Sequence, residues 1–258
     1  MVKEEEKFKK SNLFEGIVSL RSILKAGENG ISDRKIKNVF YSKERAESSV
    51  REYTWLKHTS ERLNFNLILR ENDFIDDITV GNSHGGIAFE CGERSYLPLD
   101  GLDLSSVSNG FYVMLDGIED PYNFGYAVRT LYAAGVIGLV LTPRNWMSAA
   151  GVVCRASAGA SELLPIYVSE GALAAEHFHK YGYKVVCADL RDAVPVYDAG
   201  LKLPLLLIVG GEKRGVSRAV LDTADIRIKL DYAREFEASL SAASAASVIA
   251  YEIYRQNR

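Results

Sequence analysis

The sequence has no surplus of charge of either sign. Its 31 Lys and Arg stand against 34 Asp and Glu in 258 residues, a formal net charge of −3. That balance excludes a whole-molecule field able to draw in a polyanion, so any nucleic-acid contact has to come from a local patch. Cysteine is scarce: Cys91, Cys154 and Cys187 are odd in number and far apart. They exclude a disulfide framework and a paired-cysteine metal site, and they read as reduced thiols. Long apolar runs are missing too. The strongest, LPLLLIV at Leu203–Val209, is far too short to span a bilayer. The opening residues, MVKEEEKFKK, mix both charges and hold no apolar core, so no signal peptide is expected. These absences lead to the expectation of a soluble, cytoplasmic protein with no membrane partner and no metal.

What is present is a chain that is 47% apolar, enough to bury a real core in one large domain or two ordinary ones. From about Leu13 to Pro98 short β-prone stretches alternate with charged helical ones. FEGIVSLRSILKAGENG reads as an amphipathic helix ended by glycine, IKNVFYS as a strand, RAESSVREYTWLKHTSERLN as a helix and FNLILR as a strand. LPLDGLDLSSVSNG, at Leu97–Gly110, has turn residues and no periodicity, and reads as a linker. Beyond it, nearly continuous apolar strands (FYVMLD, GLVLT, LPIYV, YKVVCAD, LPLLLIVG, DIRIKL) alternate with amphipathic helices, among them one over Phe124–Ala134 and a last one over Ala238–Gln256. That texture implies a parallel sheet covered on both faces. The expected organisation is therefore α/β, with a smaller domain over 1–100, a linker over 101–110 and a parallel-sheet domain over 111–258.

In open parallel sheets chemistry sits at the carboxyl ends of strands, beside helix N-termini. Two junctions stand out. The first is GIEDPYNFGYAVRT, Gly117–Thr130, with Asn123 near a helix start and Arg129 two turns on. The second is IVGGEKRGVS, Ile208–Ser217, where a strand runs into Gly210, Gly211 and Glu212. Each has a purely structural reading. Asp-Pro followed by Asn is ordinary helix-start chemistry, a helical arginine is usually solvated, and glycines after a strand usually make a turn. No Gly-Lys-Ser/Thr closes GGEKRG, and no G-x-G-x-x-G is formed, so neither an NTPase P-loop nor a dinucleotide fingerprint is present. A third feature is the stretch Ala238–Ser247, where Leu240 is the only large side chain. Such a surface lets another backbone or a flat ligand come close.

Together LDGIEDPYNFGYAVRTLYAAGV, LLIVGGEKRGVSRAVLDTADIRIKL and SLSAASAASVIAYEIYRQ resemble the three ordered motifs of the SpoU (TrmH-type) RNA 2′-O-ribose methyltransferases of the SPOUT superfamily. RASAGASELLPIYV is similar to that family's middle segment. FEGIVSLRSIL and SHGGIAF resemble the first helix and last strand of the L30e-like RNA-binding domain that many members carry. The resemblance implies a C-terminal domain tied in a deep trefoil knot, S-adenosylmethionine as cofactor, a homodimer, and rRNA or tRNA as substrate. Carried over by motif, Gly210, Gly211, Glu212, Ile228, Leu230, Leu240 and Ser241 would hold the cofactor, while Asn123, Arg129 and Ser239 would face the target ribose. Within the N-terminal part, Arg21, Arg34, Lys35, Lys37, Lys43 and Arg45 are the candidates for a local RNA-binding face.

The residue types suit the implied chemistry. Methyl transfer from a sulfonium to a hydroxyl is an in-line displacement that needs no metal. Arginine is a poor base, so Arg129 is better placed to orient the ribose or phosphate and stabilise developing negative charge. The four histidines, His58, His84, His177 and His179, fall outside the motifs. Two departures from the family pattern matter. Ser241 stands where the third motif normally has Asn, and IKL at Ile228–Leu230 replaces Ile-Pro-Met, with a longer loop on to Ser239. They leave open a protein that binds RNA on this scaffold without modifying it, or, further off, one that methylates another kind of substrate.

Overall fold

The computed structural model describes residues 12–80, 83–142, 149–211, 215–235 and 237–258. The chain divides into two compact units, one holding the described residues up to 95 together with 149–163, the other holding 96–142 and 164–258.

The first unit opens with β1 (Leu13–Glu15). Gly16, at φ 81°, turns the chain into α1 (Ile17–Glu28), so the amphipathic stretch read as one helix begins as a strand. β2 (Ile36–Ser42), α2 (Lys43–Ser48), α3 (Val50–Leu63), β3 (Asn66–Arg70), α4 (Asn72–Ile78) and β4 (Ile87–Cys91) follow. The four strands are ordered β1-β4-β2-β3, with β2 and β3 parallel and β4 antiparallel to both β1 and β2. α1 buries Leu20, Ile23 and Leu24 among Phe14, Val39, Tyr41, Ile87 and Phe89, each worth about 1.5–3 kcal/mol by removal from water.

The second unit begins with β5 (Leu97–Pro98), β6 (Phe111–Asp116), α5 (Pro121–Ala133) and β7 (Gly138–Leu141). The chain then contributes α6 (Ala150–Ala156) and α7 (Ala160–Leu163) to the first unit. It continues with β8 (Ile166–Val168), α8 (Gly171–Lys180), β9 (Lys184–Ala188), β10 (Val194–Pro195), β11 (Leu205–Gly210), α9 (Arg218–Leu221), β12 (Ile226–Lys229) and α10 (Ala242–Asn257). All eight strands form one sheet, ordered β10-β12-β9-β11-β6-β7-β8-β5, and every pairing in it is parallel. Leu205–Val209 and Val113–Leu115 are fully or almost fully buried, as strands covered on both faces must be.

This division differs from the expected one in two places. Leu97–Pro98, taken as linker, pairs with β8 as an edge strand, a position that tolerates proline. The segment 149–163, taken as part of the sheet domain, packs on β1 and α1. A Cβ on Gly151 would stand 2.0 Å from the Leu13 carbonyl oxygen, so that helix lies against the β1 backbone. The buried Arg34 Nε donates to Glu162 Oε2 at 3.0 Å, and Arg155 pairs with Glu15 at 2.6 Å. A contact between residues so distant in the chain leaves no periodic trace.

α10 begins four residues later than its composition suggests, because Ser241 caps it: Ser241 Oγ accepts the Ser244 amide at 3.1 Å. Near its end, Arg255 grips Glu252 through both carboxylate oxygens, at 2.7 and 2.8 Å. Those hydrogen bonds hold the Glu252 carboxyl down to about 2, from an ordinary value near 4.5. A depressed folded-state value means that the stabilisation is present above about pH 4.5 and is lost as the pH falls towards 2. Glu252→Gln is therefore expected to be less stable than the parent at pH 7, the gap narrowing across that acidic window in urea unfolding. A gap independent of pH would show that the charge of Glu252 contributes nothing.

Candidate active site

The order of the large sheet reverses at β6. From there the chain steps outward through β7 and β8 on one side, while β11 is laid against the other. Such a reversal opens a crevice at the carboxyl ends of the strands, where open α/β sheets bind ligands. Both conspicuous sequence junctions end here, since Asp116 of β6 is in register with Gly210 of β11.

On the β6 side, Asp120 caps α5 by accepting the Asn123 amide at 2.7 Å, and Pro121 fills the first helical position. The proline loses no bond there, because that amide would be unpaired in any case. Phe124, Ala127, Val128 and Leu131 bury the inner face of α5. Asn123 is half-buried in the first turn, and Arg129 is exposed two turns on, on the stripe shared by Tyr122 and Tyr126.

On the β11 side, the glycines are needed because two stretches of backbone touch. A Cβ on Gly211 would sit 2.2 Å from the carbonyl oxygen of Gly117, and one on Gly210 would sit 2.1 Å from the carbonyl carbon of Gly215. The Gly215 amide donates to the Gly211 carbonyl at 2.8 Å. Gly117 itself has φ 94°, where side chains other than glycine are strained.

Beside these glycines lies a cavity of about 270 Å³, just under the roughly 300 Å³ at which small-molecule pockets usually begin. It sits at the carboxyl ends of β9, β11 and β12. Its apolar walls come from Leu190, Val209, Ile228, Leu230, Leu240 and Ile249. Asp189, Lys229, Tyr232 and Ser239 supply the polar side chains. Ala242 and Ala245 of α10 complete the lining, so the small-residue stretch is what lets that helix approach. Apolar slabs, exposed backbone and a few polar side chains suit a flat heteroaromatic ligand with a polar tail.

The structure thus gathers Gly210, Gly211, Ile228, Leu230, Ser239 and Leu240 around one cavity. Glu212 lies outside the described residues. Ser241 is not part of the lining; its hydroxyl is used on the helix cap. Asn and Ser cap helices about equally well, which gives the departure from the family pattern a structural explanation. Asn123 and Arg129 stand outside the lining, as do all four histidines. Cys187, on β9, is buried, and burial pushes its thiol up to about 12, so it is no nucleophile at neutral pH.

Tyr232 was not legible in the sequence. Its hydroxyl accepts the amide of Leu240 at 3.0 Å, holding the Ser239–Leu240 backbone at the cavity wall. This contact spans an irregular loop and has no local signature. Asp189, also missed, closes the turn after β9 by accepting the amides of Leu190 and Arg191 at 2.7 and 3.3 Å.

Of the expected RNA-facing set, Arg34 drops out, because it is buried against Glu162. Arg45 is bound to Glu52, and Lys43 is paired with Glu71. Lys35, just before β2, and Lys37, on it, are exposed, and Arg21 is exposed on α1.

A parallel sheet with a cavity beside two closely packed glycines defines the class: an α/β protein with a small-ligand-sized cavity at the carboxyl ends of its strands. The pattern of the SpoU rRNA Methylase family matches residues 110–251, and the chain belongs to that family. It is 36% identical over 145 residues to a protein of Staphylococcus haemolyticus (strain JCSC1435) named for the TrmH family of tRNA/rRNA methyltransferases. That match takes in 56% of this chain and 58% of the relative, so it spans little more than half of the relative's length. With YacO of Bacillus subtilis (strain 168), also named for the TrmH family, identity is 32% over 184 residues, 70% of this chain and 74% of the relative. Among solved structures, an AdoMet-bound rRNA methyltransferase from Sinorhizobium meliloti superposes with TM-score 0.74 at 23% identity, covering 95% of this chain and 87% of that one. AviRb, the SpoU methyltransferase of Streptomyces viridochromogenes, in complex with AdoMet, gives 0.72 at 24% identity, covering 95% and 89%. At those identities the two structures share the fold with this chain.

Proposed function

We propose that this chain is a cytoplasmic RNA methyltransferase that uses S-adenosylmethionine to methylate a ribose 2′-OH of rRNA or tRNA. The observation that carries the reading is the cavity at the carboxyl ends of β9, β11 and β12, beside the closely packed Gly210 and Gly211, in a chain of the SpoU family. Gly210, Gly211, Ile228, Leu230 and Leu240 would hold the cofactor through backbone groups and apolar walls. The chemistry supplied by bound S-adenosylmethionine is a methyl group on a sulfonium, open to in-line displacement by a hydroxyl oxygen. Asn123 and Arg129 would orient the ribose and its phosphate, Arg129 acting as a fixed positive charge beside the oxygen as its proton leaves, with Ser239 shaping the wall. The reading carries with it the trefoil knot of the superfamily and an L30e-like recognition role for the first unit. A protein that only binds RNA would need no cavity of this kind.

Calorimetry on the native protein is expected to show S-adenosylmethionine binding in the micromolar range, about −7 to −8 kcal/mol. Gly211→Trp should abolish it, because the side chain has nowhere to go. Tyr232→Phe should weaken it several-fold, as the Leu240 amide loses its acceptor. No binding by the unaltered protein would overturn the enzyme reading and favour the RNA-binding one.

The reading includes a homodimer. Tyr126 and Tyr132 of α5 are 54% and 40% exposed, and Val248, Tyr251 and Tyr254 of the adjoining α10 are 39%, 48% and 48% exposed. Aromatic side chains concentrated on two packed helices suit the centre of an interface. Sedimentation velocity is expected to give a dimer, and Tyr251→Glu a monomer; a monomeric parent protein would remove this element.

A further inference from the structure

Within the first unit, α1 and α3 are bridged along their length. Arg21 of α1 reaches Glu52 of α3 at 3.6 Å, and Arg62 of α3 reaches Glu28 of α1 at 3.0 Å. Between those ties the guanidinium of Arg21 lies over the ring of Trp55, 5.2 Å from its centroid. Trp55 is 38% exposed, and the Arg21 side chain is 58% exposed. Along the outer face of α3, Arg51, Trp55, His58 and Arg62 recur at helical spacing, and all four are exposed. Arg21 and Lys25 face outward on α1. The acids near these stripes are Glu28, paired with Arg62, Glu61, 3.8 Å from His58, and the half-buried Glu52, already shared with Arg45. Arg21, Lys25 and Arg51 therefore leave a local cationic excess on a protein that is slightly acidic as a whole.

We propose that this helix pair is a contact surface for a single-stranded segment of RNA, with an unpaired base stacked against Trp55 and the flanking phosphates held by Arg21, Lys25 and Arg51. The proposal deepens the methyltransferase reading by saying where and in what form the RNA is gripped. Charge complementarity selects a polyanion, and the indole selects one with exposed π-faces. Bases in a duplex are already stacked on one another and offer no face, whereas splayed bases stack readily on aromatic and arginine planes. The Arg21 guanidinium over the ring, its side chain 58% exposed and 3.6 Å from its nearest carboxylate, keeps further N–H donors for phosphate oxygens.

The experiment uses the full-length protein and a fluorescein-labelled 12-mer oligouridylate, with an RNA duplex of the same length as control, read by fluorescence anisotropy. The single strand is expected to bind more tightly than the duplex and to quench tryptophan emission. Trp55→Ala should weaken single-strand binding by about tenfold or more, the scale of a lost stacking contact, while Trp55→Phe keeps most of it. The double change Arg21→Glu, Lys25→Glu should weaken binding and flatten its salt dependence. S-adenosylmethionine binding, measured in parallel, should be unchanged in every variant, and an unchanged circular-dichroism spectrum and urea unfolding midpoint show that the first unit of each is folded. Unchanged RNA affinity in Trp55→Ala overturns the proposal and leaves the cofactor reading standing. Equal affinity for duplex and single strand, no binding of the oligouridylate, or binding with no quench in the parent protein also overturns it.

Discussion

Replacing Arg129 by alanine is expected to lower the rate of methyl transfer by about 10²-fold or more, the scale of losing one preorganised donor. Arg129 is exposed on α5, a helix whose start is fixed by the Asp120 cap and whose inner face is buried. Its charge is therefore carried by a rigid element, as a positioning role requires. Lysine should rescue poorly, because a point charge does not reproduce a planar fork of donors. Affinity for S-adenosylmethionine should barely move, since Arg129 does not line the cavity. RNA should be methylated and DNA of the same sequence should not, because only RNA offers the 2′-OH. Single-turnover assays separate chemistry from binding here. A normal rate in Arg129→Ala would make this residue an ordinary solvated arginine.

The second large effect lies far from the cavity. Glu162→Ala is expected to destabilise the protein by about 3–5 kcal/mol, the usual result of removing one partner of a buried ion pair. Arg34 and Glu162 are each only 4% exposed at the side chain, and Arg94, 2% exposed, stands 3.9 Å from the same carboxylate. Without Glu162 the two buried guanidinium groups lose the carboxylate that both of them face. Arg34 also donates to the Gly92 carbonyl at 2.8 Å, and Arg94 to the carbonyls of Ser161 and Ile31 at 2.8 and 3.1 Å, so neither can turn outward without abandoning these bonds. Changing Arg34 and Glu162 together to Met and Leu should recover much of the loss. Urea unfolding would measure both effects, and a single change costing under about 1 kcal/mol would show that water or rearrangement relieves the site.

Most of the large sheet was legible in the sequence because parallel strands buried on both faces are written as continuous apolar runs. β6, β7, β9, β11 and β12 all fall within stretches such as FYVMLD and LPLLLIVG. The two-residue strands β5 and β10 were not, since Leu97–Pro98 and Val194–Pro195 are too short to show any period. α4 (Asn72–Ile78) was missed because its sequence, NDFIDDI, looks like a polar loop and buries only Ile75. At the cavity, the glycines and the small-residue helix were visible as local anomalies. Tyr232 and Asp189 act through loop contacts that only the folded chain reveals. Arg34 shows the converse: a charged residue among other basic ones reads as surface, and its burial depends on a carboxylate 128 positions away.

The order in which the chain is made gives that long-range pairing another meaning. The first unit takes α6 and α7 from beyond β7, so its core is still open when residue 95 leaves the ribosome. Until residue 163 has emerged, β1 and α1 lack the helices α6 and α7, and Arg34 lacks the Glu162 carboxylate. By then β5, β6, α5 and β7 have already been synthesised, so the first unit closes only after part of the second has been made. A nascent chain halted between β7 and α6 would therefore present an unfinished N-terminal unit to proteases and chaperones, and release of the next few helical turns would seal it.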